Sequence, residues 1–215
     1  MQKRVSEEKL QRLRKTGIEE FARNGLENAN INDIARKAGI SVGTLYNYFG
    51  TKEDFFVACL ETAVDDLEAA LHEASEGDVP LLERADKIIR SLQVYSREHP
   101  EVNRLYNQIT SSTDPGLAAR LAARIESVSS ETYRKTIQDA ADRGEIRSDE
   151  DIRYLSFFFD DLMTTLQFSY SCPYYRERLR IFCGDEALED DELMRDQLLS
   201  FLNAAFSPHS DRTRK

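Results

Sequence analysis

Residues 30–50, "NINDIARKAGISVGTLYNYFG", constrain the fold of this chain more than any other stretch. Asn30 is placed to cap a short helix over about 31–38, with Asp33 at its N3 position. Ile34, Ala35 and Ala38 form the apolar face of that helix, and Gly39 ends it by taking the left-handed conformation open to glycine. Ile40 is an apolar pin in the turn. Ser41 then caps a third helix, 42–49, which Gly50 terminates. Two short helices joined by "AGIS", with glycine at the stop and serine at the restart, form a helix-turn-helix pattern.

The third helix sorts its own residues. At ~100° per residue with Leu45 at zero, Phe49 and Val42 fall at about 40° and 60°, giving an inward stripe. Gly43, Asn47 and Thr44 fall on the opposite face, and Tyr46 and Tyr48 flank it at about 100° and 300°. A face of small and polar residues suits base edges in a DNA major groove. Phenolic hydroxyls on both flanks suit phosphates on the two groove walls. Thr51 and Lys52 follow at once, and a capped helix start led by a lysine is a further phosphate grip.

The rest of the chain also reads as helix. A first helix over 6–24 starts at Ser6, keeps Leu10, Leu13, Ile18, Phe21 and Ala22 at helical spacing, and stops at Gly25. A long fourth helix covers about 52–75. "SEGDVP" breaks the chain, a fifth helix covers 80–98, and His99-Pro100 interrupts it before a sixth over 101–111. A seventh over 115–142 ends at Gly144. An eighth runs from Asp149 to about 171, where Cys172-Pro173 kinks or stops it, and a ninth covers 189–206. Only 9 Gly and 5 Pro occur among 215 residues, and no strand-like run is found. The expected class is all-α: a three-helix head on a larger helical body, about nine helices in all.

Charge divides the chain in the same place. The net formal charge is -10, which on average disfavours a nucleic-acid partner. Residues 1–52 nevertheless hold ten Lys and Arg against six Asp and Glu, while residues 53–215 hold 19 against 33. The basic part coincides with the helix-turn-helix. Three scattered cysteines (Cys59, Cys172, Cys183) give no disulfide framework, and no motif supports redox pairing of the last two. No apolar h-region opens the chain and no run of ~18 apolar residues occurs, so a cytoplasmic protein without a membrane partner is expected.

The segment "INDIARKAGISVGTLYNYFGTKEDFFVACLE" (31–61) resembles the DNA-binding segment of the tetracycline-repressor (TetR) family of bacterial transcriptional regulators. The likeness is carried by Ile34-Ala35, Ala38-Gly39-Ile40-Ser41, Gly43-Thr44-Leu45-Tyr46, Tyr48-Phe49 and Lys52-Glu53, and extends more loosely through Phe21 and Gly25. It implies a homodimer, with a DNA-binding domain over 6–65 and a ligand-binding and dimerisation body over 66–215. By matching position, Thr44 and Asn47 face bases, while Tyr46, Tyr48 and Lys52 hold phosphates; Gly43 on the outward face and Thr51 at the start of the fourth helix complete the expected DNA-binding set. Asn32 matches a further DNA-touching position. Val42 matches a base-reading position, yet the wheel turns it inward; at the helix N-terminus it remains within reach of a thymine methyl. Asn47 is smaller than the side chains common there, so operator preference does not transfer.

The likeness thins after residue 61. The fifth to eighth helices carry more apolar residues than one stripe needs. Tyr95, Leu105, Tyr106, Ile109, Leu121, Ile125, Tyr133, Ile137 and Phe158 are candidate lining of an effector pocket, although any one of them taken singly reads more readily as core. Asp160 and Asp161 lie inside "YLSFFFDDLMTTLQFSY" (154–170), either reaching an arginine or the exposed rim, or presenting one carboxylate, such as that of Asp161, to a cationic ligand. That run has aromatics for two faces. Leu155, Phe159, Leu162, Met163 and Leu166, with Leu198, Leu202 and Ala205 of the last helix, are the expected dimer face, giving a four-helix bundle between two copies.

No metal-ligand spacing, phosphate loop or nucleophile motif is present, so neither a metal, a cofactor nor catalysis is expected. The functional expectation is a repressor released from a palindromic double-stranded operator by a small hydrophobic or aromatic effector. The rival is an architectural or adaptor protein of the same fold without an inducer.

Overall fold

A computed structural model describes residues 5–110, 115–147 and 150–208. Every regular element among them is helical: α1 (Glu7–Asn28), α2 (Ile31–Ala38), α3 (Val42–Phe49), α4 (Lys52–Ser75), α5 (Leu81–Glu98), α6 (Pro100–Ile109), α7 (Pro115–Asp142), α8 (Ile152–Ser171), α9 (Pro173–Cys183), α10 (Glu186–Glu189) and α11 (Asp191–Phe206). The expected all-α class holds. The expected start of the eighth helix at Asp149 lies outside the described residues, and α8 is capped by Asp151, whose carboxylate accepts from the Arg153 backbone N–H at 2.9 Å.

Two prolines account for where elements begin. Pro100 and Pro173 each occupy the first turn of a helix, where the missing N–H costs no hydrogen bond. The Cys172-Pro173 step therefore ends α8 and also opens α9. This is why the body holds two more short helices, α9 and α10, than the nine expected. α11 starts at Asp191, with the Asp190 carboxylate accepting from Leu193 N–H at 2.9 Å.

The chain forms two compact units. The first takes residues 5–67, 99–110 and 115–124 among those described, so α6 and the start of α7 accompany the head. Leu13, Phe21, Ile34, Leu45, Phe55 and Leu60 are fully or almost fully enclosed. The rings of Phe21, Phe49, Phe55 and Phe56 lie 4.9–5.6 Å apart in tilted and edge contacts, which bind α1, α3 and α4 together. Gly25 does take a left-handed φ of 73°, but a further helical turn follows it, with Ala29 N–H bonding Gly25 C=O. The break frees the Ala22 carbonyl, and Gln108 of α6 donates to it at 2.9 Å. Gly17 lies where α1 crosses α4. A methyl group there would meet Cys59 Sγ at 2.5 Å and Phe55 Cζ at 2.7 Å, so the crossing distance requires glycine.

The second unit takes residues 68–98 and 125–208 among those described. Its interior is built from Ile88, Ile89 and Leu92 of α5, Tyr133, Ile137 and Ala140 of α7, and Phe159, Met163 and Leu166 of α8. Tyr133 meets Phe159 edge-on at 5.0 Å. Buried Gln93 donates to Tyr170 Oη at 3.0 Å and to the Asp191 carbonyl at 2.8 Å, which ties α5 to α8 and α11. Burial pushes the Tyr170 phenol up to about 12, so it stays protonated. Arg97 stacks on that ring at 4.6 Å and pairs with Asp191 at 2.5 Å.

Candidate functional site

Each capping residue of the helix-turn-helix has a partner. Asn30 Oδ1 accepts from the N–H groups of Asn32 and Asp33 at 3.1 and 3.2 Å. Gly39 sits at φ 71°, ψ 35°. Its N–H bonds Arg36 C=O, and Ile40 N–H bonds Ala35 C=O. This 6→1 and 5→2 pattern is a Schellman stop. Ser41 Oγ then accepts from Thr44 N–H at 3.1 Å and lies 2.8 Å from Thr44 Oγ1. The turn is thus closed by backbone bonds on one side and a serine cap on the other, which fixes the angle at which α3 leaves α2.

On α3, Leu45 is completely buried, while Val42 and Phe49 are half-buried. Val42 therefore keeps partial access at the first turn, as both its inward angle and its family position require. Gly43, Tyr46, Asn47 and Tyr48 are exposed, with Thr44 half-exposed beside its cap. Asn32 is exposed at the start of α2. Thr51 Oγ1 accepts from Asp54 N–H at 3.0 Å and donates to the Asp54 carboxylate at 2.8 Å, a reciprocal cap for α4.

Two of the expected phosphate grips are engaged internally. Lys52 Nζ donates to the Glu27 carbonyl at 2.8 Å. Tyr48 Oη accepts from Val5 N–H at 3.1 Å. The second bond was not readable from the sequence, since it joins residues 43 apart through the chain's first described segment. Two basic residues were missed as well. Lys9 Nζ donates to the Gly39 carbonyl at 3.1 Å, which places α1 over the turn, and Lys37 is exposed at the end of α2. Their signal was the basic excess of residues 1–52, which carried no positional information.

The candidate pocket residues are divided between the units. Leu105, Tyr106, Ile109 and Leu121 belong to the first, and Tyr95, Ile125, Tyr133, Ile137, Phe158 and Asp161 to the second. Tyr95, Leu105, Ile109, Leu121, Ile125, Tyr133 and Ile137 are buried, and Tyr106 is half-buried. Within the first unit a cleft of about 300 Å³ is lined by Val57, Ala58, Leu60 and Leu121, with Asp54, Glu61, Arg120 and Arg124 also on its walls. Arg124 is paired with Asp65.

The two faces of α8 are exchanged relative to expectation. Leu155, Phe159, Met163 and Leu166 are buried within the second unit, as are Leu198 and Leu202 of α11; Leu162 and Ala205 are half-buried. The six buried residues are interior to the second unit and offer no surface to a second copy, while Leu162 and Ala205 keep partial access. Phe158 and Asp161, read as pocket lining, instead face outward with Tyr154 and Phe157, at i, i+3, i+4 and i+7. Tyr154, Phe157 and Phe158 are 60%, 57% and 54% exposed, and Phe201 of α11 is 57% exposed. Both faces of α8 are apolar, and packing against α5 and α7 selects the Phe159 face for the core.

Asp160 lies between these faces, hydrogen-bonded to Ser129. Burial, with Glu126 and Asp161 nearby, pushes its carboxyl up to about 6 from the usual 3.8. A carboxyl raised on folding costs stability once it ionises. The cost is complete above pH ~6 and is relieved as pH falls toward ~4. Asp160→Asn is expected to stabilise the protein by about 2 kcal/mol at pH 7.5 and by nothing at pH 4, read from urea melts at both pH values.

A capped helix-turn-helix with a polar outward α3 has the architecture of a DNA-binding head. Residues 13–59 match the family model described as "Bacterial regulatory proteins, tetR family". Over that segment the chain is similar to the DNA-binding part of TetR-family regulators. RutR of Escherichia coli K12, an HTH-type transcriptional regulator, is 32% identical over 89 residues, 41% of this chain and 42% of RutR. YvdT of Bacillus subtilis, another, is 29% identical over 98 residues, 44% of this chain and 48% of YvdT. The chain thus matches under half the length of these curated relatives. The fold extends further. A putative TetR-family regulator from Rhodococcus sp. superposes with a TM-score of 0.69 at 22% identity, covering 94% of this chain and all of that one. FadR of Bacillus subtilis, solved with stearoyl-CoA, gives 0.70 at 15% identity over 91% of this chain and 98% of its own.

Proposed function

We propose that this protein is a homodimeric transcriptional repressor that binds a near-palindromic operator and is released by a small hydrophobic effector. The observation that carries the reading is α3 itself. Asn47 and Gly43 stand outward between two exposed tyrosines, Lys52 opens the next helix, and the surrounding segment is the basic part of an acidic chain. In the major groove, Thr44, Asn47 and Val42 read base edges, and Tyr46, Tyr48, Thr51 and Lys52 bind phosphates. Asn32 adds a contact at the start of α2. Two copies joined by a two-fold axis set α3 into successive grooves.

The copies meet through Tyr154, Phe157, Phe158 and Phe201, the aromatic face that each chain leaves open. The effector class is supported by the apolar surplus of α5–α8 and by the acyl-CoA bound to a protein of the same fold. Effector and operator are coupled by a free energy that is reciprocal between them. A long-chain acyl-CoA is the first class to titrate against the protein–operator complex, and loss of the complex is the expected outcome.

The DNA reading is tested by fluorescence anisotropy with the intergenic DNA beside the gene. Lys52→Ala is expected to weaken binding about tenfold and to lower the salt slope by about 1. Asn47→Ala is expected to cost about 1–3 kcal/mol on the operator and nothing on random DNA. Unchanged affinity in both variants overturns the assignment of α3 as the recognition helix.

A further inference from the structure

α9 buries none of its residues, although it is 11 residues long and carries two tyrosines in its first turn. Its outward side is a single stripe. Tyr174, Arg178, Ile181 and Phe182 lie at i, i+4, i+7 and i+8, within about 100° of one another. Tyr174, Ile181 and Phe182 are 74%, 70% and 77% exposed, more than the aromatics of α8. The Arg178 guanidinium lies 5.4 Å from the Phe182 ring centroid and has no carboxylate partner among the described residues. Three arginines against one glutamate make α9 basic, in a body that is strongly acidic.

A complementary surface follows it in the chain. Gly184, at φ 84°, turns the backbone into α10. There, Glu186, Glu189, Asp190, Asp191, Glu192 and Leu193 line an open cleft of about 430 Å³. Asp191 and Glu192 are paired with Arg97 and Arg90, and Asp190 caps α11. Glu186 and Glu189 have no cation partner among the described residues. The cleft therefore offers two uncompensated carboxylates beside the partly exposed side chain of Leu193, while α9 offers one uncompensated guanidinium stacked on a phenyl ring.

We propose that the α9 stripe is a self-association surface distinct from the aromatic face of α8 and α11. Phe182 and Arg178 of one copy enter the acidic cleft beside α10 of a second copy, and the exchange is reciprocal about a two-fold axis. A two-fold contact requires that one patch hold both complementary halves, and the α9–α10 hairpin does. An anionic membrane is the other acceptor for a basic aromatic helix. The neighbouring Glu186, Glu189 and Asp190 and the net charge of -10 oppose it.

Charge exchange on the full chain tests the contact by sedimentation velocity in 50 mM and 500 mM salt. Arg178→Glu is expected to weaken self-association about tenfold, and Glu186→Arg with Glu189→Arg to weaken it similarly. The triple variant restores the complementary pairing and is expected to return within about threefold of the parent. Repeating the series in a Phe157→Asp/Phe201→Asp background removes the other face, so its failure is read separately. A triple variant no better than Arg178→Glu alone overturns the proposal. So does an Arg178→Glu chain that associates like the parent, or a parent that sediments with phosphatidylserine vesicles equally well with and without the α10 reversals.

Discussion

Gly17→Ala is expected to destabilise the head, although alanine is the better helix former. Propensity alone favours the alanine by about 1 kcal/mol. The added methyl, however, lies 2.5 Å from Cys59 Sγ and 2.7 Å from Phe55 Cζ, both on enclosed side chains. Phe55 is held by ring contacts to Phe21 and Phe49 and has no free direction to move. Overpacking of this kind costs about 1–3 kcal/mol, and Gly17→Val costs more. The net loss is expected at about 2 kcal/mol for alanine in urea denaturation, with operator affinity falling as α1 and α4 separate. Cys59→Ala in the same chain removes the nearest atom and is expected to recover part of the loss. A Gly17→Ala protein as stable as the parent overturns the account of the crossing.

The second large effect concerns assembly. Phe157→Asp with Phe201→Asp places two carboxylates on the aromatic face and is expected to give monomers by sedimentation in 500 mM salt, where the charged α9 contact is screened, with the melting temperature of the isolated chain almost unchanged. Leu155→Asp, one turn position away, is expected to act in the opposite manner. Leu155 is buried, so its replacement unfolds the second unit. A monomer binds one half-site, and loss of the second half-site is expected to lower operator affinity by about a hundredfold or more. A Phe157→Asp/Phe201→Asp variant still dimeric in 500 mM salt rules out this face as the two-fold contact.

The head was readable from sequence because its signals are local. Asn30, Gly39, Ser41 and Gly50 each act on backbone groups within five residues of themselves, and Leu45 needs only its helical angle to be placed inward. The body was not readable in the same way. Residues 154–170 are apolar on two sides, so periodicity finds the helix and leaves its orientation open. Orientation is decided by Ile88, Leu92 and Tyr133 on other helices. Pro173 is ambiguous for a different reason, since proline ends one helix and begins another with equal ease. Gly17 carries no local signal of its role, which depends on Cys59, 42 residues on.

The bonds from Lys52 to the Glu27 carbonyl and from Val5 to the Tyr48 hydroxyl leave both side chains with donors to spare. Tyr48 accepts from Val5, so its own O–H remains available to donate, and Lys52 has two further N–H groups beside the one given to Glu27. In the proposed complex with DNA, both groups take a phosphate without giving up their internal partner. The two side chains are thus set in place before the polymer arrives, and the entropy of ordering them is spent on folding rather than on docking.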